Sequence, residues 1–273
     1  MMNDALRASE IVPGFRKAVV VHLVEISPAL ESAQERTLEH LSVPMVWHPS
    51  LDDVPKGAAI IVANEFYDAL PIHQAVKTEH GWHERQIEIG AENNLAFTYA
   101  QEPIKHLDML LPPVVRNAPD GSIFEWRDER AAMQLGRRIA NDGGAALVID
   151  YGHAETAIGE TLQAVGQHAY ADPLTAPGHI DLTAHVDFQA LTRAVEAMGA
   201  IGFGPLDQSE FLRRLGIETR ATALRAKAAS RTAAAEIDSA LARLTGHGRT
   251  GMGGLFKAAA FAHRSVGVPP GFE

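Results

Sequence analysis

The chain has 273 residues, 46% of them hydrophobic and 21% charged, with a formal net charge of -10. This composition suits a globular protein with a sizeable core, and the acidic balance argues against a nucleic-acid backbone as the main partner. Zero cysteines exclude disulfides, thiolate metal sites and a Cys nucleophile. No apolar run approaches the ~18 residues of a membrane helix, and the N-terminus has no apolar signal core.

MMNDALRASEI reads as the end of a helix, closed by Pro13-Gly14. Ala18 to Ile26 is β-branched and continuous, the pattern of a strand covered on both faces. Ser27-Pro28 opens a helix that runs to about His40. VPMVWHPS is a short strand, SLDDVPKG a loop, and Gly57 to Ala63 another buried strand. This alternation predicts an α/β parallel sheet. From Pro71 to Glu88 the pattern changes. Alternation in HQAVKT, a turn at His80-Gly81 and then WHERQIEI predict a β-hairpin. Gly90 to Arg127 is mixed, broken at Pro112-Pro113 and Pro119-Asp120-Gly121. Glu129 to Asn141 is a helix that stops at Gly143-Gly144, and GAALVIDYGH is a buried strand ending in polar groups. Glu155 to Asp181 reads as loop, VDFQALTRAVEAMG as a helix stopped by Gly199, and SEFLRRLG as a short Ser-capped helix. Thr219 to Leu244 reads as one long Ala-rich helix, and LFKAAAFAH as a last strand.

In open α/β sheets, ligands bind outside the carboxyl ends of the parallel strands. Four predicted strand ends are polar: His22 to Glu25 with Ser27; His48 and Ser50 with Asp52 and Asp53 beyond; Asn64-Glu65; and Asp150-Tyr151-Gly152-His153. Glu25 is the candidate for a carboxylate accepting two hydrogen bonds from a ribose diol; a plain helix cap is its other reading. Asn64 and Asp68 are ligand groups or turn residues bonding their own backbone. The coincidence of several polar ends in one sheet favours a site.

His80 and His83 have metal-like spacing, but they flank the hairpin turn and lack partner ligands, so no metal site is predicted. Gly251 to Gly254 follows no strand and makes a poor phosphate loop; a turn before the last strand fits it better. No G-x-S-x-G elbow occurs, which weakens a serine hydrolase.

NEFYDALPIHQ, Asn64 to Gln74, resembles the post-strand motif of the MidA family of class I S-adenosylmethionine-dependent methyltransferases. VHLVEISPAL, SLDDVPKG, HGWHE, GGAALVIDYGH, DLTAHVDF and MGGLFKAAAF agree with it collinearly over essentially the whole chain. That family includes a mitochondrial protein arginine methyltransferase needed for assembly of respiratory complex I. The resemblance implies an α/β fold, a Rossmann-like class I sheet with a family-specific insertion, and S-adenosylmethionine as cofactor. It implies that Glu25, with Ser27 beside it, holds the cofactor ribose, that Leu51 and Asp52 border the adenine, and that Asn64 and Glu65 lie beside the transferable methyl. Asp68, Pro71 and His73 would continue to the substrate side, with Asp150, Tyr151 and His153 facing the same cleft. Asp181, His185 and Asp187 match a further motif without an assigned role.

A methyl on sulfonium is already activated, so the protein must align nucleophile, carbon and sulfur, and no metal is required. An arginine substrate needs carboxylates that hold the guanidinium. Glu65 and Asp68 are the expected pair, with Asp150 third; the strand runs into acids because a cation sits there.

In the family, a first strand and a G-x-G-x-G turn precede the helix corresponding to MMNDALRA. Neither is in this sequence, nor are the helices ahead of them. The expectation is a single methyltransferase domain over 1–273, truncated at its N-terminus, with a hairpin and insertion region at about 71–128. Loss of the central first strand leaves two buried strands with unpaired edges, at about 1–3 kcal/mol for each unpaired buried group. A start lying upstream, completion by another chain, and a degenerate member are the three accounts; the intact downstream motifs favour the first. The leading function is methylation of a protein arginine, with a complex I subunit as the partner and a homo-oligomer allowed. The alternatives are a catalytically inactive assembly or binding factor of the same fold and a nucleotide-binding oxidoreductase. The expected compartment is the bacterial cytoplasm, or the mitochondrial matrix in a eukaryote.

Overall fold

The chain folds into two units, Met1–Gly57 and Ala58–Glu273. The computed structural model describes residues 1–90, 92–166, 169–248 and 251–273. The first unit contains α1 (Met2–Ala8), α2 (Phe15–Ala18), β1 (Val21–Val24), α3 (Pro28–Leu38) and β2 (Met45–His48). β1 and β2 pair in parallel, from Val21 beside Met45 to Val24 beside His48. Leu6, Val21 and Val43 form the buried core of this unit, with Met2 and Met45 packed on it. Ser27 caps α3, its Oγ accepting from the Leu30 N–H at 3.4 Å, and Pro28 fills the first turn where no N–H is needed.

The second unit runs β3 (Ala59–Asn64), β4 (Ile72–Thr78), β5 (Gly81–Ile89), β6 (Leu95–Tyr99), α4 (Leu107–Leu110), α5 (Pro113–Arg116), β7 (Ile123–Arg127), α6 (Arg130–Asp142) and β8 (Gly144–His153). It continues with β9 (Gln163–Gly166), β10 (Ala169–Ala171), β11 (Asp181–Thr183), β12 (Val186–Asp187), α7 (Phe188–Glu196) and β13 (Ile201–Asp207). Last come α8 (Gln208–Arg214), α9 (Ile217–Ala226), α10 (Arg231–Thr245) and β14 (Phe256–Ala262).

β8 is the centre of its sheet. β3 pairs with it in parallel along Gly144–Ile149, β12 in parallel at Gly152–His153, and β14 antiparallel along Ala145–Tyr151; β13 lies beyond β14. Helix α6 presents Ala132, Leu135, Gly136 and Ile139 as one buried stripe at helical spacing, and α7 presents Phe188, Leu191 and Val195. The two helices approach closely because Gly136 has no Cβ; one built there would meet the Val195 carbonyl oxygen at 2.4 Å. A separate antiparallel sheet, in the order β6-β5-β4-β7, covers its own core of Ala75, Trp82, Leu111, Val115 and Phe124. This is the predicted hairpin enlarged by two strands.

Several expectations need correction. The strand drawn over Ala18 to Ile26 is only Val21–Val24, and Val20 and Val24 are exposed; β-branched content sets propensity, whereas pairing with β2 sets length. The strand at Gly57 to Ala63 alternates between half-buried and exposed, with Ile60 81% exposed, so an apolar run did not mean two covered faces. The supposed loop from Glu155 to Asp181 contains β9 and β10, which with β11 form a small antiparallel sheet; strands this short carry no readable period. Thr219 to Leu244 is not one helix. α9 ends at Ala226, and α10 begins after Ser230, whose Oγ accepts from the Ala233 N–H at 3.1 Å. Asp207, not Ser209, occupies the N-cap position of α8, and Ser209 is buried inside the helix. β7 and β13 went unread, the second because Gly and Pro interrupt it.

Candidate functional site

In the second unit, the chain leaves β3 at Asn64 and turns sharply. Glu65 has φ 49°, a left-handed backbone that costs a non-glycine residue about 1–2 kcal/mol. Its N–H is held by the Ile149 carbonyl at 2.9 Å, and its exposed carboxylate accepts from the Asn64 side-chain amide at 3.2 Å. The turn that follows is fastened from below. The N–H groups of Phe66, Tyr67 and Asp68 converge on Asp150 Oδ2 at 3.2, 3.0 and 3.3 Å, and Asp150 Oδ1 accepts from the Tyr151 N–H at 3.0 Å.

Asp150 has no exposed surface. Its pKa is pushed up to about 7, first by burial and then by the charge of Asp68, against the backbone N–H bonds. Enclosed and saturated with donors, it shapes the turn; no face of it is left for a substrate. Asp68 is itself 5% exposed, and its Oδ1 is buried without a hydrogen-bond partner among the described residues. The Tyr151 hydroxyl faces the Asp68 carboxylate and Thr183. Burial and that carboxylate push the Tyr151 pKa upward, so the hydroxyl stays a donor. A buried carboxylate oxygen without a donor is the kind of vacancy that a cationic ligand would fill.

β7 supplies residues that the sequence reading missed. The Arg127 guanidinium donates to the carbonyls of Asp68, Ala184 and His185, at 3.2, 2.6 and 2.6 Å. Burial lowers its pKa, while Asp150, Glu125, Asp68 and Tyr151 hold the charge on it. Glu125 accepts from the N–H groups of Thr161 and Leu162, from the Thr161 hydroxyl and from the Gln74 amide. The available signal was alternation in Phe124-Glu125-Trp126-Arg127, aromatic at even positions and charged at odd ones.

His153 Nε2 lies 4.0 Å from Asp187 Oδ2, and the Tyr151 ring meets His185 edge-on at 5.7 Å. His73 goes elsewhere: it is exposed, stacks on Trp126 at 5.3 Å and lies 3.4 Å from Glu84. Pro71 is exposed between the turn and β4. His80 is paired with neighbouring Glu79, and His83 bonds the Ala100 carbonyl through Nδ1 at 2.8 Å. Among the described residues no group of three or more acidic or His side chains could hold a metal.

In the first unit, Glu25 Oε1 accepts from the N–H groups of Ile26 and Ser27, each at 2.9 Å, and Oε2 from the Gln34 amide at 3.0 Å. Gln34 in turn accepts from the Trp47 ring N–H at 2.9 Å. The cap reading of Glu25 is the one these bonds display. Glu25 caps its own turn, and Oε2 keeps lone-pair capacity for a ribose hydroxyl, so the donor set fits the implied cofactor. Leu51 and Asp52 form a 3₁₀ turn whose cap, Ser50 Oγ, accepts from the Asp52 N–H at 3.2 Å. Beside them, His22 Nδ1 and His48 Nε2 are 2.8 Å apart.

A family described as "Putative S-adenosyl-L-methionine-dependent methyltransferase" matches residues 1–206. The "Protein arginine methyltransferase NDUFAF7 homolog, mitochondrial" of Caenorhabditis elegans is 35% identical over 240 residues, covering 81% of this chain and 56% of that protein. The "Protein arginine methyltransferase NDUFAF7, mitochondrial" of Danio rerio is 35% identical over 244 residues, covering 81% and 57%. The chain therefore spans little more than half the length of these relatives. A solved structure from Burkholderia thailandensis bound to S-adenosyl-homocysteine superposes with a TM-score of 0.78 at 27% identity, covering 93% of this chain and 66% of that one.

Proposed function

The chain belongs to the S-adenosyl-L-methionine-dependent methyltransferase family, and from that premise we propose that the protein it forms methylates arginine side chains of a protein substrate. The observation that carries the reading is the pair of acids after β3. Glu65 is exposed on a strained backbone, and Asp68 keeps a buried oxygen without a donor. Strain of this kind persists where the surroundings enforce it, and it collects at functional sites.

In this reading Glu65 and Asp68 hold the guanidinium, whose planar fork suits two carboxylates. Asn64 steadies Glu65. Asp150 is a positioning residue: by accepting from the N–H groups of Phe66, Tyr67 and Asp68 it fixes the backbone that carries Asp68. Glu25 takes a ribose hydroxyl of the cofactor. When bound, S-adenosylmethionine supplies an activated methyl group, and the residues of this chain supply alignment. The finer proposal, resting on the motif resemblance, is a respiratory complex I subunit as substrate. The compartment we propose is the bacterial cytoplasm, or the mitochondrial matrix for a eukaryotic chain. Among the described residues no helix is long and apolar enough to cross a membrane.

The test is transfer of labelled methyl to protein arginine by the full-length polypeptide, with and without Glu65→Gln. The variant should bind cofactor as the parent does and transfer methyl about 100-fold more slowly. Equal rates would remove Glu65 from the mechanism. A parent that folds but binds no cofactor would favour the assembly-factor alternative.

A further inference from the structure

Methylation of a guanidinium creates a proton that must go somewhere. The arginine nitrogen forms its new bond to carbon with its own electron pair, the sulfur–carbon pair stays on sulfur as a neutral thioether, and the new nitrogen centre sheds one proton. A carboxylate that holds the guanidinium by charge gives up that hold if it takes the proton. A second group, neutral beforehand, serves better. Resting on the methyltransferase reading above, we infer that His153 is that proton acceptor and that Asp187 orients it and stabilises the imidazolium.

The geometry comes from the pairing of β12 with β8, which sets Val186 beside Gly152 and Asp187 beside His153. Side chains alternate along a strand, so Tyr151 and His153 share one face of β8 with His185 and Asp187 opposite. Tyr151 is the residue whose hydroxyl faces Asp68, and the His153 imidazole lies two residues further on the same face. Gly152 permits the approach: a Cβ there would meet the Val186 carbonyl oxygen at 2.1 Å.

Asp187 is rigidly held. Its Oδ1 accepts from the Ala190 N–H at 2.9 Å, capping α7, and its Oδ2 accepts from the Thr156 hydroxyl at 2.6 Å. His153 Nε2 stands 4.0 Å from that Oδ2, and Nδ1 makes no hydrogen bond among the described residues. The side chain is 33% exposed, so the ring is open to a bound group. A neutral imidazole gains little from a carboxylate at this distance, and an imidazolium gains more. The interaction therefore strengthens as the proton arrives, which is what accelerates a step.

Charges facing His153 come from three other elements: Asp187 (β12) and Glu125 (β7) favour its protonation, while Arg127 (β7) and Lys257 (β14) oppose it. Burial is the largest influence and lowers its pKa, leaving the ring neutral near pH 7. His185 is lowered in the same way, by burial and then by His153 itself.

The experiment uses the full-length protein, its His153→Gln and Asp187→Asn variants, and three readouts over about pH 5 to 8, the range in which imidazoles titrate. These are methyl transfer to arginine, cofactor affinity by calorimetry, and the His153 ring titration by NMR. His153→Gln should keep cofactor affinity, lose about 100-fold in transfer at neutral pH and lose the fall in rate on acidification. Asp187→Asn keeps the α7 cap but removes the charge. The ring should then titrate at lower pH, with the acid fall in rate moving by the same amount. A His153→Gln variant with parental rate and parental pH dependence overturns this role alone, as does an Asp187→Asn variant whose ring titration does not move. A parent that binds cofactor and methylates no arginine overturns the methyltransferase reading, and this role with it.

Discussion

Asp150→Asn sets two opposing forces on one buried carboxyl against each other. Burial and the Asp68 charge raise its pKa from 3.8 to about 7, while N–H bonds from Asp68, Tyr67 and Tyr151 pull it down. A raised value means that the native state binds this proton more tightly than the unfolded chain does. The stabilisation is complete below the unfolded value of 3.8 and is lost as pH rises through about 7. Between about pH 5 and pH 7 the interval is about two units, or roughly 3 kcal/mol. The variant has no proton to titrate there, yet keeps a carbonyl oxygen for the turn, so it should fold. Urea unfolding of both proteins at about pH 5 and pH 8 measures the difference. The advantage of the parent over the variant should shrink by about 3 kcal/mol across that interval. An advantage that stays constant would refute the ranking. Backbone donors, not burial, would then decide the ionisation of Asp150.

Arg127→Lys replaces a fork on three carbonyls with a single ammonium. It should cost about 2–4 kcal/mol and speed amide exchange across Asp181 to Asp187; unchanged exchange would show that the clamp is idle. Gly152→Ala drives a Cβ into the Val186 backbone and should force β12 off β8 at about 3 kcal/mol, with loss of the Tyr151–His185 ring contact by NMR. Glu65→Gly relaxes the left-handed backbone, so stability should hold or rise by up to about 1 kcal/mol while methyl transfer collapses. A clear loss of stability would make Glu65 a structural residue.

Long-period elements were legible in the sequence. α3, α6, α7, the β4–β5 hairpin, β8 and β14 all stand close to where caps, glycine stops and apolar runs put them. The polar end of β8 was legible as well, because Asp150 and Tyr151 interrupt an apolar strand. The direction in which Asp150 points was not. Its partners are backbone N–H groups more than eighty residues earlier, and backbone groups leave no mark in a sequence. His73 looked continuous with Asp68 along the chain, yet β4 carries it onto the Trp126 face, because strand alternation separates near neighbours. Arg127 and Glu125 were hidden in a segment judged mixed, where flanking prolines masked a five-residue strand.

β7 has a parity, and parity is fragile. Phe124 and Trp126 point to the apolar cluster around Trp82 and Val115, while Glu125 and Arg127 point to the backbone of three distant loops. One residue gained or lost within Ile123–Arg127 would exchange the faces, setting charge against tryptophan and leaving the carbonyls of Ala184 and His185 without their Arg127 donor. The exposed turn at Pro119-Asp120-Gly121 just before the strand has no such frame and tolerates a change of length. Insertions and deletions among relatives should therefore collect in that turn and stop at the strand. Its five residues act as a ruler, joining the four-stranded antiparallel sheet to the turn that carries Asp68.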